Sequence, residues 1–403
     1  MKRLYLYDDA TARAFEPFAL TRPVSELRAG AVLIRARWER AAGAKAYAFI
    51  GPSHLAGFQE PEAPPAVRGD TTIPSGSVIV NSRFVAALDE RIDDTSPAYT
   101  ADGTVCAVRV RKPIDLAGLT EGSLDLESFL PAGAVATPIK GRWLREVWDL
   151  VGQLKHQLSE DIPLLGAELM GSTIENATVI GRHQVFVETG ANIHPFVVLD
   201  ASDGPILIRR GASVASFTKI FGPTYIGEHS QIVGDAIRAC SIGDVCKVRG
   251  EISSTILLGH SNKGHTGFVG NSYLGRWVNL GAGTITSNLK NTYGPIALWT
   301  PSGVRDTGLQ FLGALMGDHA KLGIGSLVNT GTVIGAGANV FGANVTPKYI
   351  PPFAWGEAEP WDRIEFDKFC EIAERMMERR NVVFDAPAQA HLASAYFRSA
   401  ADE

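Results

Sequence analysis

The sequence predicts an α/β N-terminal domain, then an all-β parallel β-helix built from hexapeptide repeats, then a C-terminal helix. Three observations predict it. Short β-rich runs around an amphipathic stretch fill the first 138 residues. From Ile174 onward an apolar residue returns at every sixth position. A helix-length segment follows the repeats, over 360–380. At 403 residues the chain is longer than one core usually fills, so two or three domains are expected.

In the N-terminal part, residues 1–138, "RLYLYD" (3–8) reads as a strand and "VSELRAGAVLIRARWERAAG" (24–43) as an amphipathic helix. "AYAFI", "SVIVN" and "TVCAVRV" read as further strands. "PIKGRWLREVWDLVGQLKHQL" (138–158) reads as a linking helix, with Trp143, Val147, Leu150, Val151 and Leu154 on one stripe, so a linker is expected over 139–165.

The repeat domain is expected over 166–355. Its beat runs through Ile174, Ile180 and Phe186, then Ile208, Val214 and Ile220. It returns at Phe268, Leu274 and Leu280, and at Leu322, Val328, Ile334 and Val340. A period of six is neither helical nor that of a half-buried strand. It is that of a prism in which each hexad makes one flat side and one corner, the apolar residue pointing inward. Two stretches break the beat, 199–205 and 289–320; insertions of this kind leave a solenoid at its corners. Trp299, Arg305 and Phe311 in the second serve either a binding surface or subunit packing. "VTPKYIPPFAWG" (345–356) is a proline-stiffened exit, and residues 356–403 are expected to be one helix and a weakly patterned, partly mobile tail.

Composition excludes several classes of function. The net charge is −5 and no basic run is present, so nucleic acid is not an expected partner. No run of about 18 apolar residues occurs, so no membrane helix is expected. The acidic pair Asp8–Asp9 falls where a signal peptide needs its apolar stretch. Cys106, Cys240, Cys246 and Cys370 show neither metal spacing nor a disulfide framework, so a cytoplasmic location is expected.

The segment that carries chemistry is "GHSNKGHTGFVGNSYLGRWVNLGAGTITSN" (259–288), with His260 and His265 near its start. From Gly264 to Asn288 it resembles, without a gap, the acetyltransferase motif of the GlmU-type bifunctional family, glucosamine-1-phosphate N-acetyltransferases that are also uridyltransferases. The resemblance implies a left-handed β-helix, a homotrimer with active sites between subunits, and acetyl-CoA as the acyl donor to a small amino sugar. It implies that His265 is the general base. An amine attacking a thioester must lose a proton as the bond forms, and imidazole suits that task. Backbone N–H groups of the Gly281–Gly283 corner are candidate oxyanion donors. Glu251, Asn279 and Asn288 match substrate positions, Ala282 lies near the thioester, and Gly342 lies along the pantetheine. Asparagines in stacked coils also form amide ladders, and that reading of Asn279 and Asn288 stays open.

The match departs from the family in two places. A lysine pair after the glutamate is here Ser253 and Ser254, and a substrate-contacting tyrosine is Phe268, retained as a candidate contact. Arg249 and Lys263 are the candidates to replace the lost positive charge. No metal is assigned to the β-helix.

At the N-terminus "FEPFALTRPVSELRAG" is similar to the start of sugar nucleotidyltransferase domains, in a short variant fused to such a β-helix. The glycine-rich phosphate loop is replaced by "DDATARAF", the lysine after Arg-Pro is Val24, and "NSRF" follows the central strand where a metal-binding aspartate is expected. Asp8 and Asp9 are left as the carboxylates that could hold a metal. Mg²⁺ and a nucleoside triphosphate are therefore expected only if this domain is active; nucleotide binding or a structural role are the alternatives.

Two rival functions remain. A γ-carbonic-anhydrase-like enzyme would hold zinc through His229, His260 and His265. A non-catalytic trimeric scaffold that binds sugar nucleotides would use neither acetyl-CoA nor zinc.

Overall fold

A computed structural model describes residues 3–400, apart from 70, 71, 117, 118, 120, 131, 132 and 343. The chain forms two compact units, 1–147 with 385–403, and 148–384.

The first unit is built on a six-stranded sheet in the order Ala46–Ile50, Leu4–Tyr7, Val78–Asn81, Thr104–Arg109, Ala98–Ala101, Thr137–Pro138. The first three strands are parallel, and Thr104–Arg109 runs against Val78–Asn81. Leu4, Tyr5, Leu6 and Tyr7 are all buried, as expected for a strand covered on both faces. The predicted helix over 24–43 is shorter than expected. Gly30, at φ +65°, turns the chain so that Arg28–Ala29 pairs with Val32–Leu33, and the helix spans only Ile34–Ala42. Glycine is poor inside a helix and free at positive φ, so it makes the turn. Gly43, in the left-handed region, ends the helix.

The predicted helix over 138–158 also divides. Gly141–Trp143 is a strand antiparallel to Phe84–Ala86, and helix begins only at Asp149, continuing as Leu154–Ala167. Nor is the C-terminal segment a loose tail. Phe366–Glu378 is a helix of the second unit, and Ala386–Ala400 is a further helix of the first. There the His391 imidazole Nε2 lies 2.8 Å from the Thr21 carbonyl oxygen, and the ring packs edge-on to Phe58.

The second unit is the expected parallel β-helix. Its first face runs from Ala177–Gly181 to Phe268–Gly270, its second from Val185–Val187 to Tyr349–Ile350, and its third from Asn192–Ile193 to Ala354–Gly356. Ile208, Val214, Ile220, Leu274, Leu280, Leu322, Val328, Ile334 and Val340 point into one continuous core. Three predicted inward residues do not. Val185 and Val187 pair with core residues while Phe186 lies between them, Val269 is buried beside half-buried Phe268, and Ile180 is 42% exposed. Side chains alternate along a strand, so where two neighbours are both apolar the period alone cannot choose between them. The second interruption leaves at the corner between first and second faces and carries a hairpin, Ala297–Thr300 with Gly303–Asp306. It closes before Ala314–Met316, earlier than predicted, because Leu315, Met316 and Ala320 are core. Trp299 stacks on Tyr349 at 3.8 Å and the Arg305 guanidinium lies over Trp148, so both serve packing within the chain.

Candidate active site

His265 sits on the corner between the third and first faces, just past the strand Asn262–Lys263. Its side chain and that of Thr266 are exposed. The loop beneath them is fixed from inside. Lys263 is fully buried, and its ammonium donates to the carbonyls of His265, of Thr266 at 3.0 Å and of Arg249 at 3.5 Å. Burial pulls the Lys263 ammonium down to about 8. This lysine is therefore a bolt under the histidine loop rather than a surface cation, which corrects its expected role as a phosphate ligand. Gly267 completes the corner at φ +129°, where a Cβ would come 2.2 Å from the Thr284 carbonyl oxygen.

One coil above, Ala282 occupies the same corner. The Gly281 N–H is spent on Leu322 O at 2.9 Å and the Gly283 N–H on Thr266 O at 3.1 Å. Among the described residues the Ala282 N–H has no acceptor, so the predicted oxyanion donor narrows to that single amide. Gly342 lies at the same corner further up, at φ +90°, with the Glu357 side chain against it.

Glu251 and Phe268 are in register on the outer side of the first face, with Ile252 and Val269 turned inward. The Phe268 ring and the Asn288 amide both close over Gly270, where a Cβ would come within 2.4 and 2.7 Å of them. Asn288 Nδ2 donates to Asn271 Oδ1 at 2.8 Å, and Asn279 Oδ1 accepts from Asn262 Nδ2 at 2.7 Å. Both predicted asparagines thus sit in two-rung amide ladders. Arg249 pairs with Asp235 at 3.3 Å on the His265 corner. The structure brings Arg249, Glu251, His265, Phe268 and Ala282 onto adjacent coils around one corner. Asn279 lies on the third face, and Asn288 at the corner beyond Phe268.

Sequence reasoning missed Arg238. It stands one coil below Ser253, in register, on the outer side of the first face. Its guanidinium lies 3.5 Å from the centroid of Phe221, with the Asp203 carboxylate 3.9 Å away and Lys219 on the same ring at 4.3 Å. The available signal was one coil counted back from Ser253, but that coil is shorter than its neighbours, Ile237 pairing with Ile252 and Ile252 with Val269.

His260 is a corner residue on a different edge, between second and third faces, at φ +54° and with its ring 4.3 Å from Trp277. His229 sits at that same edge, two coils lower, at φ +57°. Coils stack about 4.8 Å apart, so those two α-carbons are separated by about 10 Å, and both sit on a different edge from His265. Within one chain the three histidines do not converge on a tetrahedral site.

In the first unit, Asp9 is fully engaged. Arg83 donates to it at 2.6 and 2.8 Å, Asn81 at 2.8 Å and the Ala12 N–H at 2.9 Å. Burial works against its charge, but the Arg83 contacts together with the Asn81 and Ala12 hydrogen bonds outweigh burial and hold the carboxyl below its ordinary range. The "NSRF" segment thus supplies the partners of Asp9 rather than a metal ligand. Asp8, behind it, is buried and accepts from the Val24 N–H at 3.0 Å; burial pushes its carboxyl up to about 6. These residues do not fit a Mg²⁺ site. Because the folded value lies above the ordinary 3.8, Asp8 favours folding fully below that pH, and its contribution is lost as pH rises through about 6. Asp8→Asn should therefore be more stable than the parent at pH 8 by up to about 3 kcal/mol, with the gain vanishing near pH 4. Denaturant unfolding at the two pH values checks this; an equal effect at both would exclude it.

Residues 4–168 match the family described as sugar nucleotidyl transferase. Curated relatives include a bifunctional protein GlmU of Wigglesworthia glossinidia brevipalpis, 24% identical over 199 residues (48% of this chain, 36% of that protein). The GlmU of Synechococcus sp. (strain CC9311) is 25% identical over 240 residues, 57% of this chain and 47% of that protein. A bifunctional sugar-1-phosphate nucleotidylyltransferase/acetyltransferase of Sulfurisphaera tokodaii is 30% identical over 91 residues, 23% of each. The chain therefore spans less than half the length of these relatives. A segment that matches the sugar nucleotidyl transferase family, joined to a β-helix, is a GlmU-like arrangement. Among the described residues no helix is long and apolar enough to cross a membrane.

Proposed function

We propose that the β-helix is an acetyl-CoA-dependent N-acetyltransferase acting on an amino sugar or amino sugar phosphate in the cytoplasm. One observation carries it: an exposed imidazole on a loop bolted by Lys263, one coil from the unspent Ala282 N–H. In this reading the acceptor amine attacks the thioester carbonyl, and His265 takes the amine proton. The Ala282 N–H steadies the tetrahedral oxyanion, which collapses as the C–S bond breaks and the thiolate leaves, protonated in turn by His265. Glu251, Phe268, Asn279 and Asn288 bound the sugar, and Arg249 with Arg238 supplies the positive charge for an acceptor phosphate. An exposed base needs a second wall, which a neighbouring copy in a homotrimer would provide. For the first unit we propose sugar-nucleotide binding; phosphoryl transfer would need a carboxylate free for Mg²⁺, and Asp9 has none to spare.

Thiol release from acetyl-CoA, measured against free amino sugars, their 1-phosphates and nucleotide-linked forms, tests this reading. Transfer to at least one, by a trimer in sedimentation, is the expected result; no transfer to any, or stoichiometric zinc with carbon dioxide hydration, would sink it. Arg238→Ala should raise KM for a phosphorylated acceptor about tenfold with kcat little changed, consistent with one charge-assisted contact.

A further inference from the structure

The first unit carries a cavity of about 680 Å³ at the edge of its sheet, beyond the strand Ala46–Ile50. That volume is within the range of small-molecule sites. Residues between 56 and 69 line it, and none comes from the "DDATARAF" segment that replaces the glycine-rich phosphate loop. One wall is a short extended stretch. The Phe49 N–H donates to Pro65 O and the Val67 N–H to Phe49 O, both at 2.9 Å, so residues 65–67 run parallel to the edge strand. Backbone groups alternate in direction along an extended chain, so the Ala66 N–H and C=O turn away from Phe49. Among the described residues neither has a hydrogen-bond partner, and Ala66 lines the cavity. One residue thus offers a donor and an acceptor side by side, the pattern that the edge of a nucleobase matches.

The opposite wall, residues 56–63, is anchored from inside. Phe58 is buried, its ring edge-on to Phe49 at 6.1 Å and to His391 at 5.4 Å. Buried Arg22, from the "LTRPV" segment, has its guanidinium 5.7 Å from the centroid of that ring and grips Glu60 at 2.8 Å. Both walls are therefore held before any ligand arrives, which lowers the entropy lost on binding. At the mouth Arg68 is exposed, and among the described residues its guanidinium has no carboxylate or carbonyl partner. A guanidinium left in that state beside a rigid cavity suits a phosphate, which it can hold through two parallel N–H bonds. Ala66 and Arg68 are two residues apart in extended chain, about 7 Å, and the arginine side chain adds its own reach. A base and its phosphate can be met together.

We infer that this cavity takes the nucleoside phosphate half of a sugar nucleotide, its base edge on the Ala66 N–H and C=O and its phosphate on Arg68. The inference rests on the sugar-nucleotide reading of the first unit and gives that ligand a place. Every base presents a neighbouring donor and acceptor on one edge, so a single backbone pair selects the nucleotide class rather than one base.

The test is calorimetric binding of UDP, ADP, GDP and ribose 5-phosphate to the full chain, in the parent, in Arg68→Ala and in Ala66→Pro. The parent should bind at least one nucleotide more tightly than it binds ribose 5-phosphate. Arg68→Ala should weaken Kd for that nucleotide about tenfold, the loss of one charge-assisted contact. Ala66→Pro deletes the cavity-facing N–H and no hydrogen bond of the sheet, so it should also weaken the nucleotide about tenfold and leave ribose 5-phosphate unchanged. Both variants should melt with the parent; Arg68→Ala, at an exposed side chain, decides the matter alone if Ala66→Pro does not fold. If nucleotides bind and neither variant weakens them, the cavity is not their site, and the inference is overturned while the sugar-nucleotide reading stands. If ribose 5-phosphate binds as tightly as the nucleotides, the base contact is absent and the inference is lost. If the parent binds no nucleotide at all, the sugar-nucleotide reading fails and takes the inference with it.

Discussion

His265→Ala should lose acetyl transfer by a factor of about 10² to 10⁴ in kcat, the range that a positioned general base contributes. The side chain is exposed and buries no core surface, so the variant should melt with the parent. In the proposed reading the donor lies along the corner at Ala282 and Gly342 rather than on the imidazole, so KM for acetyl-CoA should hold. The measurement is a steady-state rate on the best acceptor beside a thermal melt. Parental turnover in the variant would remove His265 from the chemistry and leave the non-catalytic scaffold as the better reading.

Lys263→Met separates function from stability more sharply. Burial costs the ammonium its charge readily: its pKa falls from 10.5 to about 8, so holding it protonated at pH 7 costs on the order of 3 kcal/mol. The sign follows from proton counts. Between pH 8 and 10.5 the unfolded chain binds the extra proton, so this group favours folding more as pH rises through that window. Methionine fills similar volume with no charge to desolvate, and the lost carbonyl contacts offset part of that relief. The variant should melt no lower than the parent at pH 7. Its activity should nevertheless fall about 100-fold, the effect of misplacing a catalytic group by about an ångström. A residue that merely supports the fold would lower both together; such a parallel loss would defeat the positioning role. In the parent, activity should also decline as pH passes about 8, because a neutral amine has two N–H donors for three carbonyls.

The repeat architecture was legible because inward residues such as Ile208, Leu274 and Ile334 recur at a period no other regular structure shares. Where the beat failed, at Ile180, Phe186 and Phe268, a second apolar residue stood beside the first, and only the pleat could say which faced in. The helices at 24–43 and 138–158 were overextended because i, i+4 spacing also arises across a turn: Gly30 folds one back, and Trp143 belongs to a strand. The histidine loop was legible from its motif. What lay beneath it was not. A lysine in sequence reads as surface, and nothing at positions 249, 265 or 266 announces that their carbonyls converge to receive it. Arg238 was hidden for a different reason, since coils of unequal length break any fixed count from Ser253.

The last helix, Ala386–Ala400, packs into the first unit, joining His391 to Thr21 across 370 positions of sequence. During synthesis that unit stays incomplete until the ribosome has finished the entire β-helix, leaving the surface around Thr21 and Phe58 open to chaperones meanwhile. Ending the chain before Asp385 would leave the first unit without the helix that carries His391.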